Sequence, residues 1–306
     1  MRYFDLHCDT LTNCYKAGEG LKNNNQHVSF EKSPADVYIQ CCACWIQETI
    51  KKENAWQYFV DCAELLKRQK QESGIEQIIT NTDLKKAENG IGAILTIENC
   101  AAFAGDISNI KKAYDYGCKM ATLTWNGAND LGSGVRSGEK YGLTEFGKEA
   151  VKEMERVGII VDISHSSEIL FWDVVEHTTK PIVASHSNAI ALCSNKRNLT
   201  DEQFMEIKKR GGVVGLNFFK KFLSDDFENA CMEHIFEHAD YFLSLGGEDV
   251  LAMGSDFDGC EIPDDMKGLE SIEDLYNIFA KHNYSEELID KIFFKNAFDF
   301  FNKYIV

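Results

Sequence analysis

Little in this chain interrupts regular structure. Only three prolines occur in 306 residues, at positions 34, 181 and 263, and no Gly/Ser-rich linker, charge block or low-complexity stretch separates one part from another. A boundary between independently folding units has nowhere to fall, so one domain over residues 1–306 is expected. Long apolar runs are missing too. The longest, such as GVVGLNFF at 212–219, fall well short of the ~20 residues a membrane helix requires. The opening MRYFDLHCDT holds neither an apolar signal core nor a cleavage site. The expectation is a cytoplasmic protein with no membrane partner. Positive charge is in deficit: 32 Lys and Arg stand against 49 Asp and Glu, a net charge of −17. Such a surface repels phosphate backbones and argues against nucleic acid as a partner. Cysteine is plentiful, but its pairing is not. Eleven Cys, an odd number, are scattered without regular spacing, which reads as free thiols in a reducing compartment. Cys41, Cys42 and Cys44 cluster without the second Cys or His pair that a zinc knuckle needs, and read as small apolar residues on a buried strand.

What is present is alternation. Short apolar runs lie at 3–8, 37–45, 92–97, 119–125, 159–164, 181–185, 212–218 and 250–256. Their lack of strict polar alternation suits parallel strands covered on both faces. Amphipathic stretches separate them, among them 53–69, with apolar residues at three- and four-residue spacing. Segments 144–157 and 200–210 open on Thr144 and Thr200 as N-caps and end before Gly158 and Gly211. Eight strand–helix units predict an α/β fold, a (β/α)8 TIM barrel of the metal-dependent hydrolase type. An open doubly wound sheet is the alternative, weakened by the absence of G-x-G-x-x-G after the first run.

In such a barrel, functional residues project from the C-terminal ends of the strands. His7 and Asp9 end the first run, Glu98 the third, His165 the fifth, His186 the sixth and Asp256 the eighth. Residues i and i+2 of a strand share a side, so the His7-x-Asp9 pair can offer an imidazole and a carboxylate to one cation. Each residue also has an ordinary reading: a buried hydrogen-bonded pair for His7 and Asp9, a helix-capping carboxylate for Glu98, satisfied core histidines for His165 and His186. One shared site explains all five at once. Asp258 reads as a turn residue before Gly259. His27, His177 and His282 read as solvent-facing, and His234 and His238, four apart on a helix, as packing or surface residues.

The runs DLHCDT, LTIEN, VDISHSS, ASHSNA, NKRNL and GSDFDG, with the C-terminal KNAFDFF, resemble the membrane dipeptidase (renal dipeptidase) family of the amidohydrolase superfamily over nearly the whole chain. The resemblance implies a binuclear zinc dipeptidase in which a metal-activated hydroxide attacks the peptide bond. His7 and Asp9 would bind one zinc, His165 and His186 the second, with Glu98 bridging them. Arg197 would take the substrate's carboxylate, and Asp256 would be the general base. It also implies small dipeptide substrates, often with a D-residue tolerated at the C-terminal position. A homodimer is compatible with the sequence. The chain departs from the renal type at Trp125, which stands where a substrate-holding His is expected at the end of the fourth strand. Asn99 and Cys100 also replace glycines after Glu98. Trp125 is read as a pocket wall, with Asn126 able to supply a donor to the substrate carbonyl. Two rivals remain. One is another amidohydrolase, although Lys119 opens the fourth strand instead of ending it, where a carboxylated bridging Lys would sit. The other is a barrel that holds metal without turnover.

Overall fold

The structure, a computed structural model, describes residues 1–138 and 141–305. Its strands are β1 (Arg2–Cys8), β2 (Val37–Trp45), β3 (Glu76–Gln77), β4 (Ile91–Glu98), β5 (Cys118–Thr122), β6 (Ile160–Asp162), β7 (Val214–Leu216) and β8 (Leu251–Met253). They form one curled parallel sheet in the order β6-β5-β4-β2-β1-β8-β7, with β3 as a side partner of β4. Every residue of β2 but the last is buried, as is all of β1 after Arg2. That burial explains why their sequences carry no polar alternation.

The sheet departs from expectation at the sixth run. Residues 181–185 form no regular strand. They cross the gap between β6 and β7 by two single parallel bridges, Asp162–Val183 and Ala184–Val214. Pro181 brings no donor to the start of this run. At its other end the Ser185 N–H is spent on the Asp162 carboxylate at 3.0 Å instead of on a neighbouring strand. The short β3 was not foreseen.

Phe4 and Leu6 of β1 join Ile39, Cys41, Ile94 and Met120 in one apolar cluster, which the C-terminal helix Asn296–Tyr304 supplies with Phe298 and Phe301. Tyr3, Tyr38, Cys42 and Cys44 belong to a second cluster, shared with apolar residues of the surrounding helices. Cys41, Cys42 and Cys44 are free and fully buried, small apolar residues as read. The Thr144 hydroxyl caps the helix Glu145–Val157 by accepting from the Gly147 N–H, and Gly158 ends it at φ 96°. Thr200 and Gln203 form a capping box on the helix Asp201–Lys209, a device worth about 1 kcal/mol at its N-cap residue. Among the described residues no helix is long and apolar enough to cross a membrane.

Candidate metal centre

Parallel pairing sets the register that gathers the site. Glu98 lies opposite Trp45 on β2 and Thr122 on β5, and Thr122 lies opposite Asp162 on β6. The C-terminal strand ends therefore share one level, and the residues just past them face one another. Several of those residues hold backbone conformations that side chains usually avoid. Asn99, His165, Asp256 and Asp258 have φ of 76°, 66°, 61° and 68°. Left-handed backbone at non-glycine residues costs of order 1–3 kcal/mol each and persists where the surroundings over-determine it.

The side chains converge closely. His7 Nε2 lies 3.7 Å from Asp9 Oδ2, 3.5 Å from Glu98 Oε2 and 3.8 Å from Asp256 Oδ1. On the other side, His165 Nε2 lies 3.0 Å from Glu98 Oε1 and 3.0 Å from His186 Nε2. The two oxygens of Glu98 thus face two different histidines. Ligand atoms of His7, Glu98 and His186 lie within 4.8 Å of one another, as do those of His7, Asp9 and Asp256. All six residues are buried. His7 Nε2 and Asp9 Oδ1 have no hydrogen-bond partner, a costly state for buried polar atoms unless a cation completes it. Gly259 closes the cradle, since a Cβ there would lie 2.0 Å from Asp9 Oδ2 and 2.6 Å from Asp256 Oδ1. This arrangement of three imidazoles and three carboxylates fits metal ions of the borderline, zinc-like kind.

A second ring of groups orients the first. Ser185 Oγ meets His186 Nδ1 at 2.7 Å and donates to Asp162, which also accepts from Thr122 Oγ1 and the Ser164 N–H. Asp5 does the same under β1, accepting from the His7 N–H at 3.1 Å and from the Ser255 N–H at 2.9 Å. Asn126 Oδ1 stands 3.3 Å from His165 Nδ1. Such partners fix the ring orientation and the basicity of a ligating histidine.

Burial sets the titration of the site. It pushes Glu98 up to about 8, with repulsion from Asp9 adding to it, and Asp256 up to about 6. Burial also pulls His165 and His186 well below the usual imidazole range, aided by the charges of Arg197 and His7 respectively. Burial acts on His7 in the same sense, but the close carboxylates of Asp9 and Glu98 outweigh it and raise this histidine.

The remaining sequence candidates fall around this cluster. Arg197 is buried. It donates to Ser187 Oγ at 3.4 Å and to the His186 carbonyl at 3.2 Å, and its Nε has no partner. It forms no ion pair with Asp201, which accepts from the Tyr241 hydroxyl. Asp258 accepts from Thr10 Oγ1 and from the His27 and Val28 N–H groups, tying down a loop as a turn residue should. His27 is not simply solvent-facing, because its Nδ1 accepts from the Asp258 N–H. His238 is core, bonded through both ring nitrogens to Ala189 N and Leu223 O. Lys119 lies at the far end of β5 from the site, its Nζ 3.9 Å from the Tyr114 ring centroid. Trp125 is three residues past the end of β5, not within a strand.

Sequence reasoning missed Trp45, Arg136, Phe219 and Phe222. With Trp125, Asn126 and the metal-centre residues Asp9, Glu98, His165 and Asp256, they line a cavity of about 260 Å³ over the cluster. Trp45 ends β2 and was legible as a strand-end residue. Arg136 and Phe219 come from loops and Phe222 from the one-turn helix Lys220–Leu223, whose approach no periodicity reveals. A second cavity, of about 400 Å³, opens on the Arg197 side, and His165 borders both.

The match to known proteins covers nearly the whole chain. The membrane dipeptidase family (peptidase family M19) matches residues 1–304. The chain belongs to the membrane dipeptidase family. It is accordingly a metallo-dipeptidase by class, a hydrolase of peptide bonds. A solved dipeptidase described as a metallopeptidase of family M19 superposes with a TM-score of 0.92 at 26% identity, over 100% of this chain and 99% of that one. A Rhodobacter sphaeroides metallopeptidase, solved with a phosphinate mimic of L-Ala-D-Ala, gives 0.91 at 25% identity over the same shares. A Klebsiella pneumoniae protein described as lying in the pqqA 5′ region is 36% identical over 215 residues, 67% of this chain and 79% of its own length. An uncharacterized dipeptidase of Schizosaccharomyces pombe is 32% identical over 196 residues, 63% of this chain but only 47% of its own length.

Trp125 can now be tested as a wall. Its ring centroid lies 5.1 Å from that of Trp45 and 6.2 Å from that of His165. Trp125→Phe keeps a flat aromatic surface and should change kcat by less than about threefold. Trp125→Ala should instead shift preference toward bulkier side chains by about 1–3 kcal/mol across a dipeptide series. A fall in kcat of about 10²-fold in the Phe variant alone would instead show the indole N–H at work on the substrate. An Ala variant with unchanged rate and ranking would make Trp125 a packing residue.

Proposed function

We propose that this chain is a zinc-dependent dipeptidase with a binuclear centre at the mouth of a closed, single-domain (β/α)8 barrel, and that it tolerates a D-residue at the C-terminal position. The observation that carries the binuclear reading is Glu98, whose two oxygens face His7 and His165 on opposite sides. His7 and Asp9 would hold one ion, His165 and His186 the other, with Glu98 between them. The bridges made by Val183 and Ala184 support closure of the barrel. The neighbour solved with a mimic of L-Ala-D-Ala supports the stereochemical reading. Free cysteines, nine of the eleven buried, accord with a reducing, cytoplasmic setting.

When bound, the two ions supply Lewis acidity, polarising the scissile carbonyl and making water a nucleophile at neutral pH. The chain's own groups do the rest. Asp256, held by Asn217 Nδ2 at 3.0 Å, takes the nucleophile's proton and passes it to the departing amine. Arg197 pairs with the free carboxylate of the dipeptide, which ends the site there and disfavours longer chains. Asn126 steadies His165, and Trp125 and Trp45 wall the cavity against water. Turnover of a dipeptide panel with added zinc tests this reading against both rivals: a deaminase or lactonase leaves the panel intact, and a metal-holding barrel turns over nothing. Metal analysis should give two ions per chain; one or none after zinc is supplied removes the binuclear part.

Removing the metal has a pH signature. Above pH 7 the unfolded histidines are neutral, so His165 and His186, lowered in the fold, stop contributing. Glu98, raised to about 8 by burial, and His7, raised by its carboxylate neighbours, keep protons in the folded metal-free protein that the unfolded chain has lost. Stability therefore falls as pH rises from 7 to 8. Metal replaces those protons, so the gain from zinc grows over the same interval. Thermal melts of chelated and zinc-loaded protein at pH 7 and pH 8 check this. A metal-free Tm that is flat or rising would contradict it.

A further inference from the structure

Two arginines flank His165, and only one has a task so far. Arg136 lies after β5, in a segment whose residues 134–136 are held by backbone hydrogen bonds. The Arg136 N–H donates to the Asn126 carbonyl at 2.8 Å, and the Val135 N–H donates to the His165 carbonyl at 2.8 Å. Gly134 permits the contact, since a Cβ there would lie 2.1 Å from the Trp125 carbonyl and 2.6 Å from that of Asn126. The loop therefore presents Arg136 to the 260 Å³ cavity alongside Trp45, Trp125 and the metal-centre carboxylates. Among the described residues, no carboxylate lies within ion-pair distance of its guanidinium. The acids nearest the rim are engaged: Glu48 accepts from the Gly127 N–H, and Asp258 from Thr10 and His27. Lys16 rests its ammonium 5.0 Å from the Trp45 ring centroid. In a chain of net charge −17, a free cation over an aromatic-walled cavity marks a place for an anion.

The layout says which part of a substrate arrives there. This step rests on the dipeptidase reading above. Arg197 lines the 400 Å³ cavity and Arg136 the 260 Å³ cavity, with His165 common to both. A dipeptide whose C-terminal carboxylate sits on Arg197 lays its scissile bond across the metal cluster and extends its N-terminal residue toward Trp45, Trp125 and Arg136. We infer that Arg136 is a specificity-determining residue that favours dipeptides with a carboxylate side chain on the N-terminal residue, the methylenes against the indole-lined wall and the carboxylate on the guanidinium. Arg suits that task because its planar fork matches a carboxylate. The contact is partly solvated, so its effect is moderate.

The test compares kcat/KM for Glu-Ala, Gln-Ala, Ala-Ala and Lys-Ala on the zinc-loaded protein. Gln keeps the shape of Glu and removes the charge. Wild type should favour Glu-Ala over Gln-Ala by about 5- to 10-fold, a ratio that falls to near one in Arg136→Gln. Arg136→Glu should put Lys-Ala ahead of Glu-Ala. Because each readout is a ratio within one protein, partial loss of active enzyme does not affect it. Equal rates for Glu-Ala and Gln-Ala in wild type, or a preference that survives in Arg136→Gln, overturns the inference and leaves the dipeptidase reading standing. Turnover of none of the four overturns both.

Discussion

Asp256→Asn should lower kcat for dipeptides by about 10²-fold or more while the protein keeps its full metal content. Three features give Asp256 this weight. It lies three residues past β8 and holds a left-handed backbone, φ 61°, that aims it into the site. Its Oδ2 is steadied by Asn217, while Oδ1 points at the cluster, 3.8 Å from His7 Nε2. Burial raises it to about 6, close enough to neutrality for it to both accept and release a proton. Asn preserves size and the left-handed backbone, which Asn tolerates well, so the change is confined to the proton. Rate and metal content must be read together. A near-normal rate removes Asp256 from the mechanism. A lost rate with lost metal makes it a ligand, as its grouping with His7 and Asp9 within 4.8 Å allows.

How much of this was legible in the sequence depends on where the determining force acts. Strands β1, β2 and β4 carry long apolar runs, and burial on both faces dictates such runs, so their positions could be read directly. So could the helix starting after Thr144, because a cap is a local hydrogen bond. The sixth run could not: 181–185 is apolar enough for a strand, but Asp162 captures the Ser185 N–H, a contact between residues 23 apart that no local pattern encodes. The five ligand candidates could be grouped because they end apolar runs, and the fold brings the ends of those runs together. Asp5 and Asp162 left a signal that was not used. An acid inside an apolar strand must find donors or pay several kcal/mol in desolvation, and here those donors are the residues that hold His7 and His186 in place. Arg136 left none, because its place depends on a loop laid over the Trp125 carbonyl.

Arg197→Ala should cost about 30- to 10³-fold in kcat/KM on dipeptides, in keeping with the 2–4 kcal/mol that a buried charge-assisted pair contributes. The same change should cost no more than about threefold on a dipeptide analogue with an amidated C-terminus, which has no carboxylate to pair. The geometry explains why one residue matters so much. Arg197 is 4% exposed, its guanidinium packs 5.2 Å from the Phe222 ring centroid, and burial lowers it only to about 10, so it stays charged at neutral pH. Its anchor is the carbonyl of His186, itself a candidate ligand, so a carboxylate on Arg197 would be tied to that ligand through a single residue. Binding energy at the carboxylate then positions the scissile bond, so the loss should fall on kcat as well as KM. Arg197→Lys keeps the charge but not the fork, and should recover only part of the loss. Because Arg197 supports His186, metal content has to be measured in both variants. Equal losses on the free and amidated substrates, with metal retained, would show that Arg197 holds His186 in place and does not recognise the carboxylate.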